Sequence, residues 1–224
     1  MSARATTPPP AEERSAELRR AEVLRASPRM FESDWLDRLS RVHPAVPPLI
    51  FGPLIVLLAT LAFDGLAPLR AVLALISGYL FWTLMEYWIH RAVFHFEPEG
   101  ALGSRLHWII HGVHHDHPND PLRLVMPPSV SVPLAAAFFG LFVLVLGTPS
   151  AYGVGAGFLA GYLFYDMLHY ALHHHRPRSR VGKRMRELHM RHHFQDDERG
   201  YGISAPWWDV VFRTYPKPRR RPER

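Results

Sequence analysis

The chain has no cysteine among its 224 residues. That excludes disulfides, thiolate zinc sites, thiol nucleophiles and cysteine-ligated iron–sulfur clusters. Charge is missing locally as well. From Leu124 to Tyr165 there is no Asp, Glu, Lys or Arg, and none from Val42 to Phe63. A mean hydropathy of -0.07 hides these runs by averaging them with an arginine-rich periphery. At ~1.5 Å per residue the longer run reaches about 60 Å as helix, enough to cross a ~30 Å hydrocarbon layer twice. A Gly147-Thr148-Pro149-Ser150 turn signal falls in its middle.

The patterning predicts an all-α integral membrane protein with four transmembrane helices, near 46–63, 69–90, 130–147 and 150–172, paired in two hairpins beneath a helical, histidine-rich cap. Eight arginines precede Val42, three lie from Arg91 to Arg123 and fourteen Lys and Arg follow His175, so Arg70 alone of 26 basic residues sits at a hairpin tip. The positive-inside rule then puts both termini and the histidines on the cytoplasmic side. The same bias accounts for the basic balance of +6 without a nucleic-acid partner. The expected organisation is a polar tail with an interfacial helix over 1–42, a first membrane hairpin over 43–85, a histidine-rich domain that includes the second membrane hairpin over 86–215 and a basic tail over 216–224. The tail contains Pro8-Pro9-Pro10 and a charged stretch, Glu12 to Arg25, while Trp35, Leu36, Leu39 and Val42 recur at the spacing of an interfacial helix. No apolar signal-peptide core lies near Met1.

The chain is rich in histidine, with 15 residues, of which all but His43 lie from His90 onward. They are grouped: HRAVFH holds His90 and His95, HGVHH holds His111, His114 and His115, HYALH holds His169 and His173, and HMRHH holds His189, His192 and His193. Residues three and four apart share a helix face, so each HxxHH triplet is expected to aim its rings one way. The pair His90 and His95 departs from this, because five residues turn a helix about 140° out of phase. Either the helix ends between them or the two rings reach different metals. Ten convergent imidazoles suit two transition-metal ions with about five nitrogens each. Zinc accepts the same donors, but takes three or four ligands per site. His107, His117, His174 and His175 read as bystanders, except that His107, four before His111, is spaced to face the site, and His43 reads as structural. Glu86 and Asp166, one helical turn before His90 and His169, are placed to accept imidazole N–H groups.

The segments EYWIHRAVFHFEP, HGVHHDHPNDPLRLVMPP, YDMLHYALHH and HMRHHFQDDERGYGIS with WWDVVFRTY resemble the membrane fatty acid hydroxylase and sterol desaturase superfamily, closest to its fatty acid 2-hydroxylase branch. RLVMPP and YDMLHY point to that branch. The resemblance implies an iron-dependent oxidoreductase with two iron ions held by His90, His95, His111, His114, His115, His169, His173, His189, His192 and His193. It further implies O2 as oxidant and a fatty acyl substrate hydroxylated at carbon 2, with a sterol or carotenoid as the alternative lipid. Tyr165 and Asp166 are expected to contact the acyl headgroup or the reacting carbon. Eukaryotic members of the branch carry a cytochrome b5 domain, for which the stretch before the first apolar run is too short, so a separate electron donor is expected.

Overall fold

The computed structural model describes residues 11–217, and among them the chain is helical throughout, with no strand. Pro8-Pro9-Pro10 and the basic tail beyond Lys217 lie outside the described residues. The helices are α1 (Ala11–Arg25), α2 (Asp34–Leu39), α3 (Val46–Gly65), α4 (Pro68–Ile89), α5 (Gly100–His107), α6 (Val113–Asp116), α7 (Pro128–Leu146), α8 (Ser150–His174), α9 (Arg180–Phe194) and α10 (Trp207–Val211). Two π-helical turns, His90–Phe94 after α4 and Trp108–Gly112 after α5, complete the set.

Local chemistry fixes the helix starts. Proline opens α3, α4 and α7 within the first two positions, where its missing N–H has no helical partner to lose. Ser179 caps α9 by accepting the Gly182 N–H at 3.1 Å. Gly147, with φ of 65°, supplies the turn between α7 and α8 that a side chain would resist.

By length and composition three helices can cross a bilayer: α3, α4 with its π extension, and α7. Their outward residues are bare apolar side chains, such as Leu49, Leu69, Leu144 and Val145. The fourth expected span, α8, has the length but a different character. It packs against α3, α4 and α7, and its buried residues include Gly153, Gly155, Ala156, Gly157 and Gly161. A Cβ on Gly157 would strike the Leu75 carbonyl, and one on Gly78 the Val154 carbonyl, so α4 and α8 meet backbone to backbone. Aromatic contacts fill the rest: Phe51 meets Tyr162 and Trp82 meets Phe158, each with centroids 5.1 Å apart.

The expected interfacial helix is α2, shorter than its spacing suggested. Trp35, Leu36 and Leu39 are exposed on it, whereas Val42 lies beyond its end, buried, with its N–H on the Leu122 carbonyl at 2.6 Å.

Candidate metal centre

The ends of α4 and α8, the π turns, α6 and α9 bring ten histidines together in two groups of five. One holds His90, His95, His111, His115 and His192; the other holds His114, His169, His173, His189 and His193. Within each group one nitrogen from every ring lies within 4.8 Å of all the others. The groups abut, with the rings of His115 and His193 stacked at 4.4 Å.

The membership corrects one sequence expectation and decides between the alternatives of another. The HxxHH triplets do not aim three rings in one direction. His111 and His115 enter the first group while His114 enters the second; His189 and His193 enter the second while His192 enters the first. Each group thus takes a pair four apart from one triplet and the single middle ring of the other. The second point concerns His90 and His95: the helical stretch ends at Phe94, so a helix end does fall between the two residues, and their rings do not separate. The π turn between them closes the His95 N–H onto the His90 carbonyl at 3.2 Å, five residues back, and both rings join the same group. Such a widened turn brings residues five apart into line, as an α-helix does for residues four apart.

Ring orientation is set from behind. His90 Nδ1 meets the Tyr201 carbonyl at 2.8 Å and His192 Nδ1 the Arg199 carbonyl at 2.8 Å. A carbonyl accepts only, so Nδ1 carries the proton in both rings and Nε2 presents its lone pair to the group. The groups cannot satisfy themselves by hydrogen bonding. Nε2 of His111 lies 3.2 Å from that of His90 and 3.1 Å from that of His115, and Nε2 of His114, His169 and His193 is buried without any partner. Converging lone pairs and orphaned buried nitrogens are what a cation would satisfy. The rings are also neutral, as ligation requires. Burial, reinforced by neighbouring imidazoles, holds His111, His114, His189 and His193 well below the usual imidazole range, and burial does the same to His192. His95 and His115 are pushed down to about 4, again chiefly by burial.

Glu86 and Asp166 are not where the sequence reading placed them. Their hydrogen bonds go to the chain instead of to imidazoles. The Glu86 carboxylate accepts the Ser204 N–H at 2.6 Å and the Ser204 hydroxyl. Asp166 accepts the Met126 N–H at 3.2 Å and the Tyr162 hydroxyl at 3.4 Å. Each carboxylate ties a loop to a helix: Glu86 holds the 200–205 stretch to α4, and Asp166 holds the start of the α7 approach to α8. Tyr165 is buried, stacked on His169 at 5.8 Å. His43, His107, His117, His174 and His175 join neither group.

Several contributors carried no sequence signal. The Tyr201 and Arg199 carbonyls are backbone atoms. Asp209, also buried, accepts the N–H groups of Tyr201 and Gly202 at 2.9 Å and the Thr214 hydroxyl at 2.8 Å, which fixes the loop that orients His90 and His192.

Beside the histidines lies a cavity of about 470 Å³. It touches His111 of the first group and His114 and His169 of the second, together with Tyr165 and Asp166, and its remaining walls are largely aliphatic and aromatic. That volume is in the ~300–1,000 Å³ range of small-molecule sites.

Fold and site together define an all-helical protein with span-length apolar helices and paired histidine groups of metal-binding geometry. A fatty acid hydroxylase family model matches residues 75–214, and the chain belongs to that family. It is 38% identical over 190 residues to the dihydroceramide fatty acyl 2-hydroxylase FAH2 of Arabidopsis thaliana, covering 84% of this chain and 80% of that protein. It is 37% identical over 188 residues to the ceramide very long chain fatty acid hydroxylase SCS7 of Saccharomyces cerevisiae, covering 81% of this chain and 48% of that one. With the fatty acid 2-hydroxylase of Mus musculus the figures are 34% over 209 residues, 83% and 56%. The chain thus spans about half the length of those two relatives. Among solved structures, full-length scs7p, visible only in its hydroxylase domain, superimposes with a TM-score of 0.77 at 35% identity over 81% of this chain and 70% of that one. As the family implies, the chain is an oxidoreductase of the hydroxylase type.

Proposed function

We propose that this hydroxylase is iron-dependent and inserts one oxygen atom of O2 into a C–H bond of a fatty acyl chain, at carbon 2. The observation that carries this reading is the apolar cavity bounded by both histidine groups at once. Two iron ions, one per group of five, fit the neutral rings and orphaned nitrogens, and when bound they supply the O2 chemistry. The balance is one C–H bond and O2 in, one C–OH and one water out, with two electrons and two protons from a separate donor protein.

The chain's own residues do the rest. The carbonyls of Tyr201 and Arg199 fix the tautomers of His90 and His192, so two donors of the first group need no reorganisation. The aliphatic lining excludes water and leaves the acyl chain as the favoured occupant. Tyr165 and Asp166 line the cavity next to His169 and are our candidates for contact with the acyl head and reacting carbon. A lipid enters such a cavity most simply from the bilayer. We therefore read α3, α4, α7 and α8 as four crossings, with the termini and histidines on the cytoplasmic side, supported by the 25 basic residues outside the hairpin tips.

The test is product analysis. Membranes of a host lacking acyl 2-hydroxylation, expressing this chain, should accumulate 2-hydroxy acyl lipids. An unchanged acyl pool, or a hydroxylated isoprenoid in its place, would overturn the substrate assignment.

A further inference from the structure

The cavity has two walls of different origin. The histidine side comes from the stretch that the family model matches, but the facing side is built by Met30, Phe31, Trp35, Leu36, Leu39 and Ser40, all upstream of it. Trp35 is 67% exposed and Leu36 41% exposed while both line the cavity, and together with the exposed Ile110 and Val130 of the other wall they frame its mouth. A helix that merely rests on lipid has no need to line a chamber bounded by His111, His114 and His169.

This wall is fastened to the histidine scaffold. Asp37 accepts the Met30 N–H at 2.7 Å, Arg41 Nε at 3.1 Å and Arg123 at 2.8 Å. Arg105 donates to the Met30 carbonyl and Arg123 also donates to the Pro28 carbonyl. Arg105 and Arg123 flank the segment that carries His111 and His114, so wall and histidines keep a fixed separation. Between them runs the apolar space that a chain leading away from the histidines has to follow.

We infer that the segment Met30–Ser40 selects the acyl chain: Leu36 and Leu39 gauge its length and bulk at the mouth, and Asp37 is the positioning residue that holds them there. This rests on the acyl-hydroxylase reading above. The occupant it commits to is the hydrocarbon tail of the lipid substrate. A tryptophan at either leucine narrows the mouth and an alanine at Leu36 widens it. Apolar pockets discriminate roughly tenfold or more per methylene gained or lost.

The experiment uses the full chain, purified in lipid nanodiscs and loaded anaerobically with ferrous iron, then supplied with O2, an electron-donor system and an equimolar panel of acyl substrates from medium to very long chain. Mass spectrometry reads the ratio of long to short hydroxylated products. Leu36→Trp and Leu39→Trp should shift that ratio toward shorter chains by roughly tenfold, and Leu36→Ala should shift it the other way. Asp37→Ala should flatten the chain-length preference and raise KM with kcat largely retained. Should a tryptophan variant fail to fold, Leu36→Phe and Leu36→Ala carry the comparison. An active wild type whose ratio is the same in every variant overturns the wall inference and leaves the hydroxylase reading intact. A wild type that makes no hydroxylated acyl product overturns both.

Discussion

Asp209→Asn should weaken metal binding at the first histidine group and spare the second, although Asp209 hydrogen-bonds no histidine. Its Oδ1 accepts the Tyr201 N–H and the Thr214 hydroxyl, and its Oδ2 the Gly202 N–H. An amide is isosteric with the carboxylate but turns one acceptor into a donor. If Oδ1 stays an oxygen, an NH2 group faces the Gly202 N–H, one charge-assisted bond is lost and a buried donor is left unpaired, at a cost of about 1–3 kcal/mol. That cost falls on the loop whose Tyr201 and Arg199 carbonyls hold His90 and His192, two of the five rings in the first group. Removing such support typically lowers metal affinity by ~10–100-fold. Because the Asn keeps most of the loop's bonds, the lower end, about tenfold, is expected here. Among the described residues no ring of the second group is hydrogen-bonded to this loop, so its affinity should not change. Stopped-flow release of ferrous iron to a chelator under argon resolves the two sites as two phases. In Asp209→Asn the phase assigned to the first group should accelerate alone. Equal acceleration of both phases, or of neither, would refute the chain of contacts from Asp209 through Tyr201 to His90.

Three further outcomes follow from the same geometry. Adjacent histidines should behave as ligands of different sites: His192→Ala should abolish the first-group phase and His193→Ala the second-group phase, each with loss of turnover, in metal-release traces of the two variants. Gly157→Ala places a methyl group against the Leu75 carbonyl, and thermal unfolding should show a loss of about 1–3 kcal/mol as α4 and α8 are forced apart. Chelator-stripped protein should become acid-labile. His95 and His115 stay neutral down to about 4 when folded, against an ordinary 6.5. Between those values the unfolded chain therefore binds more protons than the folded one, and stability falls as pH falls. Melting temperatures across that window should drop for the stripped protein; a flat profile would contradict the neutral, buried state of the rings.

The helix pattern was legible because apolar runs and turn residues set it locally: the expected spans begin and end within a few residues of α3, α4, α7 and α8. The ten histidines were legible through their spacing and the segments around them. Their division into two groups was not. Spacing says which rings share a face of one helix, whereas membership depends on how α6 and α9 lie against each other, so that His114 crosses to the second group and His192 to the first. The π turn at His90–Phe94 was hidden for a related reason, since nothing in HRAVFH distinguishes a widened turn from a helix end. Glu86 and Asp166 misled because a turn's separation on one helix looked sufficient for contact, while Ser204 and Met126, distant in sequence, offered better-placed donors. The wall from Met30 to Ser40 left only the trace of an exposed apolar stripe, whose second role depends on long-range contacts with Arg105 and Arg123.

The account stands most directly on where iron binds. Crystals or particles of the full chain loaded with ferrous iron under anaerobic conditions, examined by anomalous scattering at the iron edge, should show two peaks. One should lie among His90, His95, His111, His115 and His192, the other among His114, His169, His173, His189 and His193. A single peak shared by both groups, or none at either, would contradict it.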